Sequence, residues 1–257
     1  MNKTYIDQVG REVEVSCPPK RIISLVPSIT ELLYYLELKN DVRGITKFCV
    51  HPEIKEEALF VGGTKNFKMD KIHQISPDLI LANKEENYIE GIQELEKNYP
   101  VWVSDVNIFD EALDMILAVG ELTGKAENAF RLVEDVSEKW ERVRNIFSAS
   151  VLYFIWHKPS MVAGKNTYID SVMDYLGFAN VADKHERYPE LSKETLSAFK
   201  PEFVFLSSEP FPFKEKHLNC YQNIFPESKI LLVDGEVFSW YGSRMLYAPE
   251  YFKNLFC

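Results

Sequence analysis

Asp70-Lys-Ile-His-Gln-Ile-Ser-Pro77-Asp78-Leu-Ile-Leu81 returns later in the chain as Glu194-Thr-Leu-Ser-Ala-Phe-Lys-Pro201-Glu202-Phe-Val-Phe205. Each copy runs carboxylate, short helical stretch, proline seven residues on, second acid, apolar run. Proline cannot continue a helix and restricts the residue before it, so each copy predicts a helix that stops and a buried strand that starts. Two further matches keep the same order. Tyr35-Leu36 through Asn40 parallels Tyr175-Leu176 through Asn180, and Val101-Trp-Val-Ser-Asp105 parallels Ile230-Leu-Leu-Val-Asp234. Helix-Pro-strand is common in α/β chains, but three ordered matches predict two related lobes.

Working outward, Thr4–Ile6 and Glu12–Val15 flank a turn at Gly10 and read as a hairpin. Arg21–Val26 is a buried-strand run that Pro27 stops. Ser28 and Glu31 have capping-box spacing, which predicts a helix from Ile29 to Leu38. Strands follow at Val42–Thr46, Asp78–Ala82 and Pro100–Ser104, alternating with helices at Asp70–Ile75, Asn87–Lys97 and Phe109–Leu122. That alternation argues for a mostly parallel sheet. Phe130, Val133, Val136, Trp140, Val143 and Phe147 then recur at threes and fours, predicting one helix from Ala126 to Phe147. At 1.5 Å per residue it would be about 33 Å long, enough to act as a rigid connector. The α/β pattern restarts with strands at Val151–Ile155, Phe203–Leu206 and Ile230–Val233 and helices at Tyr168–Leu176 and Glu194–Phe199. The expected fold is α/β: two Rossmann-like lobes with mostly parallel sheets joined by one long rigid α-helix. The lobes are placed at 1–123 and 148–257, with the connecting helix at 124–147.

Composition narrows the function. The 257 residues carry a formal charge of -10, which disfavours a nucleic-acid partner, since that needs a basic face. No run of about 20 apolar residues exists, so no membrane insertion is expected. Met1–Glu14 contains no apolar core of a signal peptide. None of Cys17, Cys49, Cys220 and Cys257 belongs to a CxxC, and no His/Cys cluster has zinc spacing. There is no GxSxG, P-loop, GxGxxG or HExxH, so an enzyme is not expected.

Arg21-Ile-Ile-Ser-Leu-Val-Pro27-Ser-Ile-Thr-Glu31-Leu-Leu resembles the opening of the class III, helical-backbone substrate-binding proteins of ABC importers. Val61-Gly-Gly-Thr, Met69-Asp70-Lys-Ile and Ser76-Pro-Asp-Leu-Ile-Leu resemble the same family, and vitamin-B12-binding proteins are the nearest look-alikes. Thr64 stands where the B12 receptor of enteric bacteria carries a tryptophan. The resemblance implies two lobes bridged by a helix and a metal-chelate or corrinoid ligand (cobalamin, haem or a ferric chelate) in an interlobe cleft. It implies no intrinsic cofactor, a periplasmic location and an ABC permease as partner; a monomer is expected because two lobes and one helix form a complete unit. One exposed carboxylate per lobe docks on that permease in the family; the matching positions are Asp70 and Glu194.

Ligands of open α/β sheets bind at the carboxyl ends of strands. The loops expected there carry Phe48, His51, Lys65 and Glu86 in the first lobe. The second lobe is expected to supply Trp156, His157, Trp240, Tyr241 and Arg244. Aromatic rings suit a flat macrocycle, and the cations suit carboxylates, amides or phosphate. Phe48 also matches an aromatic position that contacts corrin in the B12 receptors. Aromatics after strands otherwise plug sheet ends. His51 and His157, if neutral, could ligate iron or cobalt, but a lone histidine is more often structural, and no metal site is assigned. His73, His185 and His217 are expected at the surface. The missing signal sequence keeps a cytoplasmic binding or sensing module as the alternative, and an enzyme acting on such a ligand ranks below it.

Overall fold

The apolar runs that alternate with helices in the sequence become parallel strands, as burial on both faces requires. The computed structural model describes residues 2–51 and 58–256. Pro52 and Cys257 lie outside the described residues. Packing divides the chain into two units, the first made of Met1–Val106, Asp110–Ser137 and Tyr241–Leu246, the second of Asn107–Phe109, Glu138–Trp240 and Tyr247–Cys257.

In the first unit, β1 (Asn2–Ile6) and β2 (Glu12–Ser16) form the expected antiparallel hairpin. There follow β3 (Ile22–Ser24), α1 (Pro27–Tyr35), β4 (Val42–Ile45), β5 (Leu59–Phe60), and a small hairpin of β6 (Gly62–Gly63) and β7 (Asn66–Phe67). Then come α2 (Met69–Ile75), β8 (Leu79–Asn83), α3 (Ile89–Glu96), β9 (Val101–Ser104), α4 (Phe109–Thr123) and α5 (Ala126–Glu141), of which Phe109 and the last four residues of α5 group with the second unit. The sheet order is β5-β4-β3-β8-β9, parallel throughout. Ile23, Leu25, Ile72, Ile80 and Val101 share one buried cluster.

The second unit has β10 (Ala149–Trp156), β11 (Met161–Val162), α6 (Tyr168–Leu176), β12 (Phe178–Asn180) and α7 (Lys193–Ala198). It continues with β13 (Phe203–Ser207), α8 (Glu215–Ile224), β14 (Lys229–Val233), α9 (Gly235–Ser239) and α10 (Ala248–Lys253). Its sheet runs β11-β10-β13-β14, with β12 also parallel on β10 and only β11 antiparallel. Leu152, Phe154, Leu196, Val204 and Leu206 form its core.

The internal repeat is a repeat of structure. The order β4-β3-β8-β9 matches β12-β10-β13-β14. The acid after each proline does the same work in both units. Asp78 accepts from the Arg21 amide at 2.7 Å, at the entrance to β3. Glu202 accepts from the Ser150 amide at 2.7 Å, at the start of β10.

Three expectations are corrected. The connector helix stops at Glu141 instead of Phe147, giving 16 residues and a length of about 24 Å. Beyond it Asn145 takes a left-handed φ of 52°. The amides of Asn145 and Phe147 then bond the Tyr175 and Leu176 carbonyls, each at 3.0 Å, so the end of α6 captures the chain. Next, α1 has no capping box. It starts at Pro27, which presets the first helical residue, and its N-cap position falls on Val26, whose side chain has no oxygen to accept from the free amides of the first turn. Finally, Tyr241–Leu246, expected with the second lobe, packs in the first unit. Its 3₁₀ turn, Ser243–Leu246, lies against α1, and Gly242 faces Leu32 and Ser28.

Candidate functional site

The carboxyl ends of the first unit's strands are tied together by two buried asparagines. Asn83 ends β8 and is 3% exposed. Its Oδ1 accepts from the Glu85 and Glu86 amides at 2.9 and 3.0 Å. Its Nδ2 donates to Ser104 Oγ at 3.1 Å and to the Tyr241 hydroxyl at 2.8 Å. Asn87 donates to the carbonyls of Leu25 (3.2 Å) and Thr64 (3.0 Å), joining the β3 end to the small hairpin. Buried polar groups so fully bonded hold loops rigidly.

On this frame stand the predicted groups. Phe48 is 49% exposed, with the Lys47 ammonium 4.8 Å from its ring centre. Gly63 lies under that ring: a Cβ there would come within 3.3 Å of Phe48. The Lys65 ammonium donates to the Glu85 carbonyl at 2.5 Å. Glu86 and His51 are half-buried in adjoining loops. Between these loops Cys49 is buried, 3.1 Å from Thr30 Oγ1, and burial pushes its thiol up.

In the second unit Trp156 ends β10 and is 37% exposed. Its indole N–H donates to the Lys158 carbonyl at 3.1 Å, and Phe211 meets it edge-on at 5.6 Å. His157 Nδ1 is 3.1 Å from the Tyr221 hydroxyl. The His157 ring lies 5.1 Å from His217 and within reach of Phe211 and Phe213. Burial, then the nearby His217, Lys158 and Lys216, hold its pKa below the usual histidine value. Trp240 N–H donates to Glu209 Oε1 at 2.8 Å. Burial pushes the Glu209 carboxyl up, with Glu236 and Asp234 adding to it against the hydrogen bonds from Ser239 and Trp240.

Tyr241 and Arg244 are not second-lobe surface groups. Tyr241 is 6% exposed, its hydroxyl held by Asn83. Arg244 grips Glu31 through two hydrogen bonds of 2.9 and 3.0 Å, within the first unit. Both corrections rest on contacts between residues far apart in sequence. His217, expected at the surface, is buried on α8 among the aromatic rings, whereas His73 is exposed as expected. Sequence reading missed Asn83, Glu209 and Glu31 as organisers of these loops. The pair Asn83-Lys-Glu-Glu-Asn87 just after a strand is the one local signal that could have found the first of them.

Asp70 and Glu194 occupy matching first turns, of α2 and α7, and both are exposed. The Ser192 hydroxyl holds the Glu194 carboxyl below the usual range. Among the described residues no three His, Cys, Asp or Glu side chains are grouped to hold a metal ion. Among the described residues no helix is long and apolar enough to cross a membrane.

A family model described as periplasmic binding protein matches residues 22–219. The chain belongs to the periplasmic binding protein family. The uncharacterized ABC transporter substrate-binding lipoprotein YvrC of Bacillus subtilis is 25% identical over 213 residues, 78% of this chain and 68% of its own. A vitamin B12-binding protein of Vibrio campbellii is 28% identical over 200 residues, 74% of this chain and 71% of its own. The petrobactin-binding protein YclQ of Bacillus subtilis superimposes with a TM-score of 0.82 at 15% identity, over 99% of this chain and 98% of its own, and shares the fold.

Proposed function

We propose that this periplasmic binding protein is the substrate-binding component of an ABC importer, working as a monomer outside the cytoplasmic membrane. Its ligand is a metal chelate or corrinoid (cobalamin, haem or a ferric chelate), held by the carboxyl-end loops of both units, with no intrinsic cofactor. Asp70 and Glu194 dock it on the permease, one exposed acid from each unit, as two separated charges suit registration on a basic partner.

One observation carries the ligand reading. At these strand ends the neighbouring polar heads are engaged within the protein: Lys65 on Glu85, the Trp156 indole on Lys158, the Trp240 indole on Glu209. What stands out from the edges is ring surface, Phe48 at 49% exposure and Trp156 at 37%. Exposed rings, one of them with the Lys47 ammonium 4.8 Å from its centre, suit a large flat ligand that stacks and carries polar or anionic edge groups. The named ligands of the relatives support the same class.

The test is a fluorescence titration of the purified protein with cyanocobalamin, cobinamide, haemin and a ferric siderophore. Saturable sub-micromolar quenching by one of them, weakened by Trp156→Leu and Phe48→Ala, is the expected result. No binding to any of the four overturns the reading.

A further inference from the structure

The two units share an outer strand but treat its free edge differently. In the first unit that strand is β9. The Ile80 and Lys84 amides take the carbonyls of Pro100 and Ser104, and alternate residues of a strand face the same neighbour. Val101, Val103 and Asp105 therefore turn their backbone groups away from β8. The turn between β1 and β2 covers them. Arg11 donates to the Val101 carbonyl at 3.4 Å, and the Gln8 amide to the Val103 carbonyl at 3.2 Å. Asp7 Oδ2 accepts from the Val103 amide at 3.3 Å, and Gln8 Oε1 from the Asp105 amide at 3.2 Å. β9 is buried along its whole length.

β14 is the matching edge of the second unit, with Ile230–Asp234 standing for Val101–Asp105. The Lys229 amide donates to the Glu202 carbonyl and the Ser208 amide to the Val233 carbonyl, each at 2.9 Å. Lys229, Leu231 and Val233 therefore face β13, while Ile230, Leu232 and Asp234 face away. The Asp234 amide donates to the Tyr251 hydroxyl at 2.9 Å, which closes that end. Among the described residues nothing bonds the amide or the carbonyl of Ile230 or Leu232, and Leu232 is 39% exposed. A bare apolar edge is a template for another strand. These bare groups are complementary to themselves. Turned antiparallel about Leu231, a second β14 sets Ile230 of each copy against Leu232 of the other. Facing residues at such positions exchange both their bonds, so every bare amide and carbonyl is used. Leu231 then meets Leu231, an apolar cross-strand pair. Lys229 comes level with Val233, beside Asp234, so opposite charges approach at both ends and no like charges are opposed.

We propose that β14 is a docking edge for a second copy of this chain, which adds its own β14 antiparallel to form a two-fold pair. The strand is five residues long, so the contact is weak and fills only as concentration rises. A monomer remains the working form at dilution. The pairing needs neither ligand nor permease, so its failure and that of the ligand reading are separate results.

Sedimentation of the full chain without ligand, from about 10 μM to about 1 mM, tests this. The average mass is expected to rise with concentration toward that of two chains. A mass that stays at one chain up to about 1 mM overturns the proposal and leaves the edge to a strand of another protein. Amide exchange locates the contact. Exchange at Ile230 and Leu232 is expected to slow at least about threefold across that range, and by more than at Leu231, whose amide faces β13. Association without that slowing puts the contact elsewhere and equally overturns the proposal. Leu232→Pro removes an outward amide and leaves the β13 ladder whole, a position where edge strands accept proline. It is expected to stay at one chain throughout, with an unchanged urea midpoint. Leu232→Lys, which places a charge on the edge, is expected to do the same and keeps the test open should the proline variant not fold. A folded variant of either kind that associates as strongly as the parent overturns the proposal.

Discussion

Arg244 and Glu31 make a stability prediction that separates structure from ligand binding. The two side chains are each 16% exposed and share two hydrogen bonds. A fully exposed ion pair contributes about 0–1 kcal/mol. Removing one partner of a buried pair costs about 3–5 kcal/mol, because the other charge is left uncompensated. Exposure this low places the pair nearer the buried limit, so Arg244→Met should cost about 2–3 kcal/mol. The pair fastens Tyr241–Leu246 to α1. The loss should therefore show locally, where the Met245 amide bonds the Gly242 carbonyl at 3.2 Å. Native-state hydrogen exchange at Met245 should accelerate on the order of 30-fold or more, the factor corresponding to about 2 kcal/mol. Glu31→Leu with Arg244→Leu should recover much of the loss, since two well-packed apolar side chains replace a pair with no orphaned charge. Arg244→Lys should not, because an ammonium cannot reproduce the forked contact. An Arg244→Met cost below about 0.5 kcal/mol, within the range of ordinary surface changes, would refute the reasoning.

Gly177 has φ +90°, and a Cβ there would sit 2.3 Å from the Phe147 carbonyl oxygen. Gly177→Ala should lower the urea midpoint by the equivalent of at least about 1 kcal/mol, combining left-handed strain with a clash; an unchanged midpoint contradicts this. His157 has its folded pKa below the unfolded value. Its contribution is therefore complete above the unfolded pKa of about 6.5 and is lost as pH falls through the folded value. Melting temperatures from pH 7.5 to 5 should fall less steeply in His157→Gln than in the parent, and parallel curves would exclude the effect. Asp70→Lys with Glu194→Lys should reduce permease binding at least tenfold while leaving chelate or corrinoid affinity intact; undiminished docking removes the two-carboxylate reading.

The duplicated stretch was the most legible part of the chain. Asp70–Leu81 and Glu194–Phe205 became α2 with β8 and α7 with β13, because proline placement and apolar runs are local signals. Helix α8 was not legible: Glu215–Ile224 is mostly polar, and the burial of His217 and Tyr221 comes from aromatic partners elsewhere in the chain. The two-residue strands β5, β6, β7 and β11 are too short to show a period. At the candidate site, Phe48 and Trp156 were found as exposed rings at strand ends. Tyr241 and Arg244 were misplaced because their partners, Asn83 and Glu31, are 158 and 213 residues away. Glu209 was missed for a related reason. Its chemistry comes from Ser239 and Trp240 closing over it, and a carboxyl's protonation is set by such surroundings and not by its neighbours in sequence.

Asp78 and Glu202 perform the same task at 2.7 Å in two halves of one polypeptide. During synthesis each half meets a near-copy of itself at the high local concentration of a tethered neighbour, the setting in which exchange of equivalent strands produces misassembled chains. The halves differ where such an exchange would begin. Beside β3 the sheet continues through parallel β4 and β5, whereas beside β10 parallel β12 is joined by antiparallel β11, which pairs through Phe154 and Val162. The three-residue β3 is too short to supply the Phe154–Val162 pairing that the eight-residue β10 makes, so a strand exchanged into the second half would leave β11 without its partner.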